Sequence, residues 1–253
     1  MGLLHKLGSS IIRTKISLYQ KRHNNINYYL LTQKNSDCLI VVFSGFPAGN
    51  KASYNYIRTL NHVKCNKLFL LDDFGYPNKP GTYYLGEKGN WFLINDIIDL
   101  INIVRNRLGI KHTIMVGSSK GGTSALYYSL MVNNVDNVII GAPQYYVGNY
   151  LSSEKNKPIL KAIMGSTNDS DVQKLNNYIK DAIYQSPNRP LVNIHYSPCE
   201  HTYNEHIKPM IEELKNNGFN VCEDNNYTYL QHSDVAKFFP SYLLKTIKEK
   251  TSI

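Results

Sequence analysis

Residues 113–123 read TIMVGSSKGGT, and this stretch decides the fold of the chain. The apolar run at 113–116 is typical of a strand buried on both faces of a sheet, and residues 123–132 have helical character. The sequence between them fits Gly-x-Ser-x-Gly, a sharp turn that carries a strand directly into a helix. The central serine of such a turn has a strained backbone, and its hydroxyl is exposed beside the helix N-terminus. We therefore predict that Ser119 is a nucleophile.

Other interpretations of this stretch are open. A turn rich in glycine and serine can simply connect a strand to a helix, or it can bind a phosphate through its backbone N–H groups. The phosphate-binding loop has the pattern G-x-x-x-x-G-K-[ST], whereas Lys120 precedes the glycines here. Ser118 is an alternative nucleophile, but only Ser119 has glycines two residues before and two residues after it.

The segments around this turn alternate between strands and helices. Further apolar strand candidates lie at 27–33, 38–43, 67–71, 138–140, 191–195 and 220–222. Helices are expected at 53–61, 92–108, 203–217 and 233–248, and an extended piece at 82–85. Such alternation predicts an α/β protein in which a mostly parallel central sheet carries helices on both faces.

The chain is expected to form one domain over residues 1–253, because no repeat or low-complexity linker interrupts the alternation. Residues 145–185 are polar and lack a strong strand pattern, so a helical, lid-like insertion is expected there. Ligands bind at the carboxyl ends of the strands in open parallel sheets. The loops after residues 43, 71, 116, 140, 196 and 222 should therefore form the site.

Composition restricts the class of protein and its partners. The net charge is +9, from 28 Lys and Arg against 19 Asp and Glu, which fits either a solvated lysine surface or an anionic partner. The four cysteines form no C-x-x-C pair, which argues against a zinc site, and Cys38 and Cys222 are expected to be buried. Because no apolar run reaches the ~20 residues of a membrane span, a cytoplasmic location is the default expectation. Residues 3–15 have a basic amphipathic pattern, which fits packing against the domain better than contact with a membrane surface.

A serine nucleophile needs a base and an acid that orients it. In sites of this kind the chain order is serine, acid, histidine, and His232 follows the last strand candidate directly. Its competitors are less well placed, being within a strand pattern or near the start of a helix: His195, His201 and His206. The acid should come after the preceding strand, which favours Glu200; Glu205 is one helical turn later, and Asp224 is the main rival.

Stabilisation of an oxyanion needs two backbone N–H groups near the nucleophile. One should belong to Lys120, which follows Ser119 directly. The other should come from the loop after the 38–43 strand, at Gly45 or Phe46, where the sequence SGFP allows a tight turn.

Five motifs together carry a family resemblance: VFSGFP at 42–47, YNYI at 54–57, GTYY at 81–84, GSSKGG at 117–122 and GAPQ at 141–144. From about residue 38 onward the chain resembles the α/β-hydrolase-type O-acetyltransferases of bacterial capsular polysaccharide loci. It resembles more distantly the glycan acetyltransferase of the accessory secretion system. GSSKGG with an upstream GTYY is far more specific than Gly-x-Ser-x-Gly alone.

The resemblance implies an α/β-hydrolase fold, acetyl-CoA as donor and a sugar hydroxyl of a capsule polymer as acceptor. It also implies that Ser119 is the nucleophile and His232 the base. The capsule enzyme has Asp where this chain has Glu200, and Glu occurs there in the secretion-system relatives. The excess of lysine suits the phosphates of coenzyme A and an acidic polymer, and no metal or nucleic-acid partner is expected.

The acceptor site and the reaction class leave alternatives. The side chains of Tyr83, Tyr84, Tyr145 and Tyr146 are expected to be exposed and to stack on sugar rings, although packing in the core is an equal alternative. An esterase or deacetylase acting on acylated glycans would use the same triad. The third hypothesis is that the protein is a non-catalytic subunit of a glycan pathway.

Overall fold

The computed structural model describes residues 18–251 of the 253-residue chain. The strands in this range are β1 (Lys21–His23), β2 (Ile26–Leu31), β3 (Cys38–Phe43), β4 (Asn66–Leu71), β5 (His112–Ser118), β6 (Asn137–Gly141), β7 (Leu191–Tyr196) and β8 (Val221–Asn225). The helices are α1 (Leu93–Leu108), α2 (Lys120–Met131), α3 (Val147–Leu151), α4 (Lys157–Met164), α5 (Asp169–Gln185), α6 (Lys208–Asn216) and α7 (Val235–Thr251). A π-helical turn, Tyr203–Ile207, precedes α6, and a 3₁₀ turn, His232–Asp234, precedes α7. The amphipathic segment expected at residues 3–15 lies outside the described residues.

The strands form one sheet in the order β1-β2-β4-β3-β5-β6-β7-β8. All neighbouring pairs from β4 to β8 are parallel, and only β1 and β2 run antiparallel to their neighbours. The carboxyl ends of β3 to β8 therefore lie along one edge of the sheet. The mostly parallel sheet that the sequence predicts is thus confirmed. The loops that were expected to form the site follow the strands at this edge.

The centre of the sheet is covered on all sides. Every residue of β3 and β4 is buried, as expected for strands without a solvent-facing side. Helix α2 is buried from Lys120 to Leu130 and packs on β3, β5 and β6, while α7 packs on β5, β6 and β7. Burial of each Val, Leu or Ile side chain stabilises the folded state by roughly 1.5–3 kcal/mol, relative to leaving it exposed. The strand-turn-helix around Ser119 is thus held in the buried centre of the sheet.

The insertion at residues 145–185 consists of α3, α4 and α5 and contains no strand, as the sequence predicts. Helix α5 packs against α2, and Asn176 of α5 binds Asn149 of α3 through two hydrogen bonds of 2.8 and 2.9 Å. The backbone N–H groups of Lys88 and Gly89 donate to carbonyls of α4. The insertion is therefore built onto the helix that follows Ser119; its role as a lid stays a prediction.

Two local predictions are wrong, both for a tertiary reason. Residues 53–61 form turns instead of a helix, because Tyr56 has a positive φ of 61° and the Asn55 side chain binds the backbone of another loop. Residues 82–85 form a turn instead of an extended piece, with φ of 56° at Tyr83 and 59° at Tyr84. The carboxylate of Asp72 accepts the N–H groups on either side of Tyr83 and so stabilises that turn.

The cysteine prediction is half correct. Cys38 is buried in β3, as expected. Cys222 is exposed, because β8 is an edge strand of the sheet and its residues are only partly covered.

Candidate active site

Ser119 lies at the tip of the turn between β5 and α2. Its backbone has φ 52° and ψ −128°, a combination that is costly for a residue with a side chain. Two flanking glycines make this turn possible. A Cβ at Gly117 would lie 2.1 Å from the carbonyl oxygen of Gly121, and one at Gly121 would lie 2.4 Å from that of Phe43. The Gly-x-Ser-x-Gly pattern is thus explained by close backbone approach on both sides of Ser119.

Three predicted side chains meet above this turn. The Oγ of Ser119 lies 2.8 Å from Nε2 of His232, and Nδ1 of His232 lies 3.4 Å from Oε1 of Glu200. Each comes from a different carboxyl-side loop: Ser119 after β5, Glu200 after β7 and His232 after β8. The parallel sheet therefore brings together residues that are up to 113 positions apart in the chain.

Glu200 is buried and is held in its ionised form. Burial raises the pKa of this carboxyl group, and hydrogen bonds from His232 and Thr202 lower it. The lowering effects together outweigh burial, so the pKa lies below its usual value. The Thr202 hydroxyl donates to Oε1, the same oxygen that faces His232. Among the described residues, nothing binds the other oxygen, Oε2. A charged carboxylate is therefore available to orient and stabilise a protonated imidazole.

The rival acid and base are paired with each other, away from Ser119. The Oδ2 of Asp224 lies 2.6 Å from Nδ1 of His195, whose ring is buried between Tyr229 and Tyr242. Asp224 on β8 thus belongs to a different histidine.

The remaining alternatives are also accounted for. The hydroxyl of Ser118 lies 2.5 Å from that of Tyr56, which is a separate contact from the Ser119–His232 pair. Glu205 is exposed. His206 is buried and accepts a hydrogen bond from the backbone N–H of Tyr146.

Gln144, which the sequence did not assign to the site, contacts both Ser119 and His232. Its Nε2 lies 3.0 Å from Oγ of Ser119 and 3.3 Å from Nε2 of His232, and the residue is only 1% exposed. The signal for this residue was its position in the GAPQ motif, directly after β6, in one of the loops expected to form the site. A neutral amide has no titration or nucleophilic chemistry to mark it in a sequence.

The tyrosines expected on the surface are buried. Tyr83, Tyr84 and Tyr145 are each at most 1% exposed, so the expectation that their rings are open to a sugar is wrong, and only Tyr146 is partly exposed. Their hydroxyls bind inside the protein instead. That of Tyr83 donates to Oε1 of Gln144, and that of Tyr145 to Glu213. The alternative of core packing is the correct one.

The side chain of Lys120, the residue after Ser119, forms an ion pair with Asp72. Its Nζ lies 2.7 Å from Oδ2 of Asp72, and both side chains are completely buried. Burial lowers the pKa of Lys120, while the Asp72 carboxylate opposes this shift. Asp72 also accepts hydrogen bonds from the backbone N–H groups of Thr82 and Tyr84 and from the Thr82 hydroxyl. Because the ammonium group of Lys120 is buried and bound to Asp72, it does not face a ligand, which argues against the phosphate-loop interpretation.

The loop after β3 lies next to the turn and offers backbone donors. The N–H of Ser44 donates to the hydroxyl of Tyr84 at 2.7 Å, and the N–H of Gly45 donates to Oδ1 of Asn55 at 3.0 Å. Of the two residues predicted on this loop, Gly45 is thus already engaged. Phe46 remains as the candidate donor to a ligand.

Within residues 18–251, no group of three or more His, Cys, Asp or Glu side chains could hold a metal ion. No helix in the same range has both the length and the apolar character to cross a membrane.

Comparison with known proteins finds similarity at the level of structure. No family model matches the chain, and no curated protein sequence matches it. The structure of the capsule O-acetyltransferase of Neisseria meningitidis serogroup A superposes with a TM-score of 0.77 at 20% identity, covering 90% of this chain and 94% of that one. A variant of that enzyme in complex with CoA gives 0.78 at 21% identity over 90% and 94%.

Two further structures are similar over nearly the whole chain. A glycosylation-associated protein complex (Gap123) from Streptococcus agalactiae has a TM-score of 0.76 at 18% identity, covering 91% of this chain and 47% of that one. The Staphylococcus aureus serine hydrolase FphF has a TM-score of 0.60 at 12% identity, covering 89% and 96%. These similarities establish an α/β-hydrolase fold, and they confirm in structure the resemblance to capsule O-acetyltransferases that the five motifs indicate.

Proposed function

We propose that the protein is an O-acetyltransferase that moves an acetyl group from acetyl-CoA to a sugar hydroxyl of a bacterial capsular polysaccharide. The reaction proceeds through an acetyl ester on Ser119. The observation that carries the proposal is the 2.8 Å contact between Ser119 Oγ and His232 Nε2 on a positive-φ turn. The structural similarity to a capsule O-acetyltransferase, a variant of which binds CoA, supports this chemistry over the others that a serine nucleophile can perform.

In the first half-reaction, His232 acts as the base. Its Nε2 takes the proton of Ser119 while Oγ attacks the thioester carbonyl of acetyl-CoA. When the tetrahedral intermediate collapses, the carbon–sulfur bond breaks and the CoA thiolate takes the proton from His232. The products are acetyl-Ser119, neutral His232 and free CoA.

In the second half-reaction, a sugar hydroxyl replaces the thiol. It gives its proton to Nε2 of His232 while its oxygen attacks the acetyl carbonyl. The ester bond to Ser119 then breaks, and His232 returns the proton to Oγ. Each half-reaction leaves His232 neutral, which is the state that the next one needs. A single histidine can therefore serve as the base in both half-reactions.

Glu200 and two backbone donors support both steps. The carboxylate of Glu200 stabilises the imidazolium that forms twice in each cycle. The N–H of Lys120, at the start of α2, and that of Phe46 stabilise the negative oxygen of each tetrahedral intermediate, at about 3–4 kcal/mol for a donor of this kind. The burial of Lys120 and its pairing with Asp72 keep the first of these donors in place.

Intact-protein mass spectrometry tests the proposal. The protein is incubated with acetyl-CoA, and candidate capsule polymers are then added. We expect one acetyl group on the wild-type protein and its loss to an accepting polymer. The Ser119→Ala variant should take up none, whereas Ser118→Ala, the matched control one residue earlier, should still be acetylated. Uptake by Ser119→Ala would contradict the assignment of the nucleophile.

The alternative is a carbohydrate esterase or deacetylase with the same triad. The structural similarity to a serine hydrolase supports it. In that case the protein should release acetate from an acetylated glycan in a Ser119-dependent manner and should not consume acetyl-CoA. If both assays are negative for wild-type protein, the hypothesis of a non-catalytic subunit of a glycan pathway is favoured.

A further inference from the structure

We infer that Gln144 determines whether the acetyl group is transferred or hydrolysed, because its carboxamide shields His232 from water in the acetyl-enzyme. This inference rests on the proposed function. It concerns a residue that contacts both reacting groups and that has no place in a simple serine-acid-histidine scheme.

The amide group is positioned between nucleophile and base. Nε2 of Gln144 is 3.0 Å from Ser119 Oγ and 3.3 Å from His232 Nε2, while Ser119 and His232 are 2.8 Å apart. The three polar atoms form a small triangle. In the free protein the Ser119 hydroxyl donates to His232 and accepts from the amide, so every atom of the triangle has a partner.

The surroundings of Gln144 hold its amide in one orientation. The Tyr83 hydroxyl donates to Oε1 at 3.3 Å, which leaves the NH₂ end directed at Ser119 and His232. The backbone is held at the same time, since the Thr123 hydroxyl lies 2.8 Å from the Gln144 N–H and 2.9 Å from its carbonyl oxygen. The buried ring of Tyr83 and the first turn of α2 therefore fix this side chain.

Gln144 lies on the base side of the nucleophile. The sheet order places β6, which Gln144 follows, on one side of β5 and places β3, which precedes the Phe46 loop, on the other. The proposed Phe46 donor therefore comes from one side of Ser119 and the amide from the opposite side. The contact to His232, instead of to the β3 loop, agrees with this placement.

Acetylation changes what the amide can bind. Once Oγ is part of an ester it is a poor acceptor, so the N–H of Gln144 loses that bond. The nearest acceptor is then the lone pair of neutral His232 Nε2, which is already 3.3 Å away. A water molecule needs this same lone pair to become a nucleophile. A sugar hydroxyl held by its own binding contacts has a high effective concentration, and it displaces the amide where bulk water does not.

The lifetime of acetyl-Ser119 without acceptor tests this inference. Wild-type protein is acetylated, separated from acetyl-CoA and followed by intact mass. The Gln144→Ala variant should lose its acetyl group to water on the order of 10-fold faster or more. The lifetime is measured on acetyl-enzyme that has already formed, so a change in the acetylation rate does not enter it. Gln144→Met, which keeps the volume without the donor, should show a smaller increase. Gln231→Ala, an exposed glutamine beside His232, is the matched control and should behave as wild type.

The outcomes separate this inference from the proposed function. An acetyl-enzyme that forms in all variants with an unchanged lifetime overturns the role of Gln144 and leaves the proposed function intact. Slower acetylation of both Gln144 variants with no change in lifetime also overturns it, because that result marks an oxyanion donor. Absence of acetyl-Ser119 in the wild type overturns the proposed function and this inference with it.

Discussion

Two acid–base pairs lie on opposite sides of Ser119 and differ in how they are bound. On the β4 side, Lys120 and Asp72 are 2.7 Å apart and both are completely buried. On the β7–β8 side, His232 and Glu200 are 3.4 Å apart, and the side chain of His232 remains 20% exposed. The first pair is closed off from solvent, whereas the second is open toward it through the imidazole.

The difference agrees with the proposed function, in which the first pair is structural and the second takes part in the reaction. Asp72 accepts hydrogen bonds from the Lys120 ammonium, two backbone N–H groups and the Thr82 hydroxyl, so its charge is fully compensated. Glu200 has two partners on one oxygen and none among the described residues on the other. A group with unused acceptor capacity next to an accessible histidine can follow a change in protonation, and a saturated buried pair cannot.

The largest expected effect is on the reactive side. Glu200→Gln should slow acetylation of Ser119 by roughly 10³–10⁴-fold, which corresponds to about 4–5 kcal/mol in the activation barrier. The reason is that an amide cannot stabilise the imidazolium of His232. Stopped-flow or quenched measurement of CoA release from acetyl-CoA checks this rate.

Glu205→Gln is the matched control, because this exposed carboxylate lies five residues further along the chain, in the π-helical turn before α6. It should leave the rate unchanged within experimental error. A Glu200→Gln rate within threefold of wild type would assign the orienting role to another group.

On the structural side, Asp72→Ala should lower the free energy of unfolding by about 3–4 kcal/mol, since it leaves the buried ammonium of Lys120 without a partner. It also removes the acceptor for the turn at Thr82–Tyr84. Urea denaturation followed by circular dichroism measures the change.

The control for this variant is Asp73→Ala, which removes an exposed carboxylate from the neighbouring position. Its effect on the unfolding free energy should be below about 1 kcal/mol. Equal stabilities of Asp72→Ala and Asp73→Ala would mean that the buried pair does not hold the β4 side together.

The smallest effect concerns a buried histidine on the reactive side. Burial, and then the nearby charges of His232 and His201, lower the pKa of His206 to about 4, despite an opposing effect of Glu200. Because the folded-state pKa lies below the ordinary 6.5, the unfolded state binds the proton first as pH falls. Stability from this group is complete above pH 6.5 and is lost between pH 6.5 and 4, by about 2–3 kcal/mol.

Urea titrations at pH 7 and at pH 4 test this expectation. The wild-type protein should lose more stability over this interval than His206→Gln, which cannot titrate. His112→Gln, at an exposed histidine, should lose as much as wild type. Parallel losses in wild type and His206→Gln would show that protonation of His206 does not limit stability in acid.

Much of the fold and of the site could be predicted from the sequence because it depends on local pattern. Continuous apolar runs identified β3, β5 and β7, and the glycines around Ser119 identified the turn between β5 and α2. The order of the strands then predicted where Glu200 and His232 would lie. The structure brings these side chains to Ser119.

The errors arose where a distant group decides the local conformation. The turn at Tyr83 depends on Asp72, and the irregular segment at 53–61 depends on contacts of Asn55 and Tyr56 with other loops. Gln144 acquires its position from Tyr83 and Thr123, which are remote from it in the chain. None of these contacts has a local signature.

The sequence by itself determined the alternation of strands and helices and the identity of the nucleophile candidate, because apolar periodicity and glycine spacing act over a few neighbouring residues. Only the tertiary structure decided that Glu200 and not Asp224 faces His232, that Lys120 is paired with Asp72, and that Gln144 lies against the reacting pair. These outcomes depend on which loops meet at the carboxyl edge of the sheet and on which buried polar groups find partners there, and both follow from packing across the whole chain.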